Sequence, residues 1–187
     1  MNPESIILGG LCFGSSLNRE QSFSFLKKAY SLGIREIDTG SLYGNGNSET
    51  FIAEYIKKTG HKIKIHSKIG LKQIKRNDGS FGVDISDLSP DYIIKSVLKT
   101  YKKFNQEKLF RVSIHAYCHN IPLESQIEAL KYLIESKIIE NYGICNFNSQ
   151  ELSQWIKVCI NKKLPLPKSL DLHFNLFEQR ALKELFP

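Results

Sequence analysis

The chain has 187 residues, 41% of them hydrophobic and 24% charged, an ordinary balance for one globular domain with a sizeable core. Its 26 Lys+Arg exceed 19 Asp+Glu for a formal charge of +7, but no basic run is long or interleaved with aromatics, which argues against a nucleic-acid face and for a solvated basic surface. Met1 to Ser5 carry no basic leader and no segment approaches the roughly 20 apolar residues of a membrane span, so the sequence reads as cytoplasmic, without membrane contact.

The first apolar run, Ile6 to Gly14, predicts a buried strand that ends in a glycine-permissive turn. Asn18 is placed to cap a helix whose inner face is Phe23, Leu26 and Tyr30, and Gly33 to end it. The segment Gly33 to Gly44 then reads as a short strand running into a Gly-rich loop, with Asp38 where the strand stops and Tyr43 beyond it. Ser48-Glu49 opens a second helix, through Phe51, Ile52, Tyr55 and Ile56, that Gly60 closes.

Lys62 to Lys68 predicts a strand of alternating character. His61 and His66, placed on that strand, face opposite ways, so no metal site is expected there. A polar, glycine-containing loop runs from about Lys72 to Leu88 and is expected to border a pocket. Ser89-Pro90-Asp91 is a helix start with a capping hydroxyl, Pro in the first turn and an acid behind it. Leu109 to His115 is a strand, Pro122 to about Lys137 a helix, Tyr142 to Asn146 a strand, and Ser149 the expected cap of a helix through Trp155. Leu170 to Asn175 is a further strand, and Gln179 begins a last helix.

The result is βα repeated about six times, a pattern that makes a parallel sheet with right-handed crossovers. Its two usual closures are an open doubly wound sheet and a (β/α)8 barrel, for which this chain is short against about 250 residues. Asp38, Lys68, His115, Asn146 and Asp171 each fall at the C-terminal end of a successive predicted strand. Parallel packing puts those ends on one face, and a barrel makes them converge. Alone, each has a plain structural reading: a turn cap, a snorkelled lysine, a core histidine. Together they have a chemistry. A phenol with a pKa near about 10 is made a usable acid by a nearby ammonium, a carboxylate fixes that ammonium, and an imidazole orients a substrate oxygen. Such a set polarises a carbonyl and protonates it, while a hydride has to come from a cofactor. The four cysteines, Cys12, Cys118, Cys145 and Cys159, form no CxxC pair and read as free thiols in a reducing compartment.

These residues resemble the aldo-keto reductase family. Leu8 to Gly14 is similar to its first strand, Ile37 to Gly44 with Ser48-Glu49 to its D-T-A-x-x-Y-G segment and following S-E, Ser67-Lys68 to its T-K, and Ile114-His115 to its I-H. Gly143 to Phe147 resembles its G-V-S-N-F, and Asp171 to Leu176 its Q-x-x-Y-N segment. The resemblance runs from near residue 6 to the end, and residues 1–187 are read as one domain that lacks the last two βα units. It implies an incomplete (β/α)8 TIM-type barrel with about six of eight units, reducing an aldehyde or ketone with NADPH. Tyr43 would be the general acid, Lys68 and Asp38 would tune it, and His115 would orient the carbonyl. Gly10, Asp38, Cys145, Asn146 and Asp171 would lie at the cofactor.

The sequence departs from the family at Cys145, where Ser is usual, and at Asp171, where Gln is usual. It also stops just after its sixth strand, whereas the family's seventh and eighth carry the aromatic on the nicotinamide and the basic residues on the phosphates. Open barrel edges are expected to promote self-association. The alternative reading is a non-catalytic remnant of a reductase that serves as a binding or structural domain.

Overall fold

The computed structural model describes residues 6–185. Its strands and helices follow one another as β1 (Ile7–Gly9), α1 (Arg19–Ser31), β2 (Glu36–Asp38), α2 (Asn47–Thr59), β3 (Lys64–Ile69), β4 (Leu71–Lys75), β5 (Phe81–Ile85), α3 (Pro90–Phe104), β6 (Leu109–Ile114), α4 (Leu123–Glu135), β7 (Ile139–Cys145), α5 (Ser149–Lys162), β8 (Leu170–Asp171) and α6 (Arg180–Glu184). Six strands form one sheet in the order β1-β2-β3-β6-β7-β8, every neighbouring pair parallel.

That order decides between the two closures the sequence left open. Each helical crossover moves one place along the sheet in the same direction, and right-handed crossovers of constant direction put every helix on the same face. A doubly wound sheet reverses direction once; this one does not. The sheet therefore curls as part of a (β/α)8 barrel, with six of its units present. The outer edges of β1 and β8 have no strand partner among the described residues.

The helix caps explain where the chain turns. Asn18 accepts from the Gln21 backbone while the Gln21 side chain accepts from the Asn18 N–H, a reciprocal arrangement that satisfies two free donors. Gly33 follows α1 with φ +88°, the left-handed conformation that a glycine adopts without strain. Ser89 caps α3, with Pro90 at its first position. At α5 the cap is Asn148 rather than Ser149, in a second reciprocal box with Glu151.

The apolar core lies between sheet and helices. Ile37, Ile65, Ile69, Val112, Ile114 and Ile144 meet Ile52, Ile93, Val97, Ile127, Leu130 and Trp155 there. The strand residues that alternate with them face the concave side and are polar: Glu36, His66, Lys68, Arg111, Ser113, Asn141. Glu36 binds both Lys64 and His66, at 3.0 and 2.7 Å, and Arg111 Nε donates to Asn141 Oδ1 at 2.7 Å.

Several expectations are corrected here. β1 is an open edge strand, not a buried one; among the described residues it pairs with β2 alone, and Ile7 is 45% exposed. β3 is buried at every position after Lys64, because its helix-facing side meets α2 and α3 and its concave side carries the ion-paired groups. His61 precedes β3 and is stacked on Tyr30 at 3.6 Å between ring centroids, so the face rule never applied to it. The expected loop from Lys72 to Leu88 is mostly a β-hairpin, β4 against β5. Its turn is held by Asp78, which accepts from the Ser80 N–H and hydroxyl, and by Gly79 at φ +83°. The Asp-Gly pair was the available signal, masked by flanking Lys, Gln and Arg. β8 stops at Asp171 rather than continuing to Asn175. Asn146, at φ +59°, turns the neighbouring strand away and leaves nothing further to pair with.

Candidate active site

The C-terminal ends of β2, β3, β6, β7 and β8 bring the expected residues to one end of the concave face. The Lys68 ammonium forms an ion pair with Asp38 Oδ1, the two side chains coming from adjacent strands. Lys68 Nζ lies 5.5 Å from the centroid of the Tyr43 ring. Tyr43 meets His115 edge to face, with centroids 5.7 Å apart. Asn146 Nδ2 donates to the His115 carbonyl at 2.9 Å, and the Cys145 thiol donates to Asp171 Oδ2 at 3.2 Å.

Tyr43 reaches this position through its loop. The loop leaves β2 with the Thr39 and Ser41 N–H groups bonded to the His66 and Lys68 carbonyls of β3. It then closes in a short 3-10 turn, Tyr43–Gly46, in which Gly44 and Asn45 are both left-handed.

The electrostatics follow from burial and from the ion pair. Burial alone disfavours the Lys68 ammonium, but the charge and hydrogen bond of Asp38, with Tyr43 and Cys145 behind them, hold its pKa above the ordinary value. Burial pushes the Asp38 carboxyl up, against the opposing pull of Lys68. Burial also raises the Tyr43 phenol, and Lys68 offsets this only in part. The ammonium therefore counters desolvation and does not bring the phenol below its usual range, which corrects the expectation from the sequence. His115 is pushed down to about 4, by burial first and by the Lys68 charge second. It is a neutral imidazole at physiological pH, able to donate one N–H. The Cys145 thiol is pushed up by burial and by Asp171, so it stays protonated and serves as the donor to that carboxylate.

Gly10 packs against the site's scaffold. Its N–H donates to the Asp38 carbonyl at 2.7 Å, and a Cβ at this position would come within 2.9 Å of the same oxygen. Ser48-Glu49, read from the sequence as a helix start and as the S-E of the family-like segment, proves to be a clamp behind the site. Ser48 Oγ donates to the Gly10 carbonyl and shares a 2.8 Å contact with Thr39 Oγ1. The buried Glu49 carboxylate accepts from Ser67 (2.7 Å), Thr100 (3.0 Å) and Lys103 (2.8 Å). Because Ser67 precedes Lys68 and faces the helices, Glu49 anchors the strand that carries the lysine. A buried acid within a helix, flanked in space by hydroxyls from β3 and α3, has no short-range sequence signal.

Among the described residues no three His, Cys, Asp or Glu side chains gather as a metal set, and no helix is long and apolar enough to cross a membrane.

The sequence profile of the Aldo/keto reductase family matches residues 5–187. The chain belongs to the aldo/keto reductase family. It is 26% identical to aldo-keto reductase dtxS3 of Metarhizium robertsii, over 96% of this chain and 55% of that protein. Among solved structures, the glycerol dehydrogenase AKR11B4 from Gluconobacter oxydans matches with a TM-score of 0.81 at 22% identity, over 96% of this chain and 54% of that one. The holo form of aldo-keto reductase AKR11C1 from Bacillus halodurans matches at 0.79 and 20%, over 95% and 56%. The structural likenesses show the shared barrel fold. The chain spans about half the length of these aldo/keto reductase relatives.

Proposed function

We propose that this chain carries the acid–base half of a nicotinamide-dependent carbonyl reductase, acting on a small aldehyde or ketone with NADPH as reductant. The observation that carries this reading is the convergence of Tyr43, Lys68, Asp38 and His115, from four separate segments, at one end of the concave face.

Tyr43 is the proton donor. Its phenol stays protonated through the neutral and mildly alkaline range because burial opposes ionisation. As negative charge grows on the substrate oxygen, Tyr43 transfers its proton there, and the Lys68 ammonium stabilises the phenolate left behind. Asp38 keeps Lys68 charged and in place. The neutral His115 imidazole offers an N–H to the same oxygen and orients it.

The residues fit a nicotinamide ring on a specific ground. Asn146 turns its N–H2 to the His115 carbonyl, which can only accept, and its Oδ1 accepts no hydrogen bond among the described residues. Asp171 uses Oδ2 for the Cys145 thiol, and its Oδ1 has no partner among the described residues. Two acceptors beside a proton donor suit the N–H2 of a carboxamide. When bound, the cofactor supplies the hydride, which no side chain can. Asn146 and Asp171 would hold the carboxamide, and Cys145 would fix the Asp171 rotamer.

The test is carbonyl reduction in Tyr43→Phe, which keeps the ring and removes only the proton. Loss of about 10²-fold or more is expected, with NADPH affinity and melting temperature unchanged. Equal turnover in the variant refutes Tyr43 as the acid. Absence of NADPH binding to the wild-type chain favours instead a non-catalytic binding domain.

A further inference from the structure

Asp171 is a carboxylate of this site that forms no ion pair among the described residues. The Asp38–Lys68 pair is neutral as a unit, and Tyr43, His115 and Cys145 are uncharged groups at neutral pH. Asp171 lies at the end of β8, paired in register with Cys145, and among the described residues its carboxylate accepts one hydrogen bond, from a neutral thiol. No Lys, Arg or His forms an ion pair with it among the described residues. The titratable groups it acts on from the neighbouring elements are Cys145 from β7, with Asp38, His66 and His115 further off. Asp171 therefore stands at this end as a carboxylate without a cationic partner among the described residues, while Arg111, lower on the concave face in register with Asp38 and His66, is taken up by the neutral Asn141.

A nicotinamide ring changes charge with its redox state: the oxidised ring is a cation and the reduced ring is neutral. Its carboxamide N–H2 is a donor in both. We propose that Asp171 makes the site discriminate between the two redox forms, holding the oxidised, cationic ring more tightly than the reduced one and rejecting a ring that bears a carboxylate in place of the carboxamide. This rests on the nicotinamide reading above. On the protein, tighter binding of the oxidised form favours carbonyl reduction, in which the substrate gains a hydride and the Tyr43 proton while the ring becomes a cation. It also makes the oxidised cofactor the stronger product inhibitor.

The experiment is calorimetric titration of the full chain with NADP⁺ and with NADPH, in the wild type and in Asp171→Asn and Asp171→Glu. Asp171 is partly open to water, so the expected charge effect is that of a solvent-accessible pair. The preference for NADP⁺ over NADPH should fall about fivefold in Asp171→Asn, persist in Asp171→Glu, and shrink as salt is raised. Nicotinic acid adenine dinucleotide phosphate should bind Asp171→Asn more tightly than wild type. Binding of both redox forms with a ratio that agrees between wild type and Asp171→Asn to within about twofold overturns this proposal and leaves the reductase reading standing. Failure of both forms to bind the wild type overturns the cofactor reading, and this inference with it.

Discussion

Removing the Glu49 carboxylate tests whether the clamp behind the site is a structural necessity. Glu49 is 2% exposed and accepts from two buried hydroxyls, Ser67 and Thr100, and from the Lys103 ammonium. Glu49→Ala strands both hydroxyls, and a buried polar group left without a partner costs about 1–3 kcal/mol. Lys103 is a quarter exposed and relaxes into water, so its loss adds little. The expected destabilisation is about 3–4 kcal/mol, allowing for partial rearrangement of the two hydroxyls. Glu49→Gln separates the terms. Its amide oxygen still accepts from the hydroxyls and only the ion pair is lost, so about 1 kcal/mol is expected. Trp155, the one tryptophan, is fully buried and reports urea unfolding by fluorescence without a label. A loss below about 1 kcal/mol for Glu49→Ala, or equal losses for the two variants, refutes the assignment. Ser67→Ala in the Glu49→Ala background should then restore part of the stability, since it removes one stranded donor.

Two further outcomes are expected. His115 has its folded pKa depressed to about 4, below the reference near about 6.5. The unfolded chain therefore binds a proton that the folded chain refuses. His115 then contributes no penalty above about pH 6.5 and progressively destabilises the fold as pH drops towards about 4, by up to about 3 kcal/mol. Urea titrations at pH 7 and pH 5 should show a smaller acid loss in His115→Gln than in the wild type; an identical loss rejects the shift. Gly143→Ala would set a Cβ 2.3 Å from Ser169 Oγ and 2.6 Å from Ser113 Oγ. About 1–3 kcal/mol of overpacking is expected by thermal melting, relieved in part by Ser169→Gly and further by Ser113→Gly, and a neutral Gly143→Ala contradicts the packing.

Much of the site was legible from position alone. Asp38, Lys68, His115, Asn146 and Asp171 mark strand ends in the sequence, and parallel pairing carries strand ends to one face whatever the side chains are. Helix starts at Asn18 and Ser89 were legible because caps are local: the side chain and the N–H it satisfies are three residues apart. The β4–β5 hairpin was not, because a ladder of backbone bonds needs no apolar pattern. The clamp of Ser48, Glu49, Ser67, Thr39 and Thr100 was hidden for a different reason. Its members come from β3, α2, α3 and the loop after β2, and a buried carboxylate is tolerated only where such remote partners meet it.

What the sequence determined by itself is the βα alternation, the strand-end polar residues and the proton-donating chemistry they allow, all of which depend on local periodicity and residue type. What only the tertiary structure decided is the direction of the crossovers, which makes a curled barrel rather than a doubly wound sheet, and the balance of charges at its open end. Burial outweighs Lys68 at the Tyr43 phenol and holds His115 neutral. Asp38 cancels the Lys68 ammonium, and Asp171 keeps a carboxylate with no cationic partner among the described residues. Desolvation and pairing are properties of neighbours in space, and neighbours in space are what folding supplies.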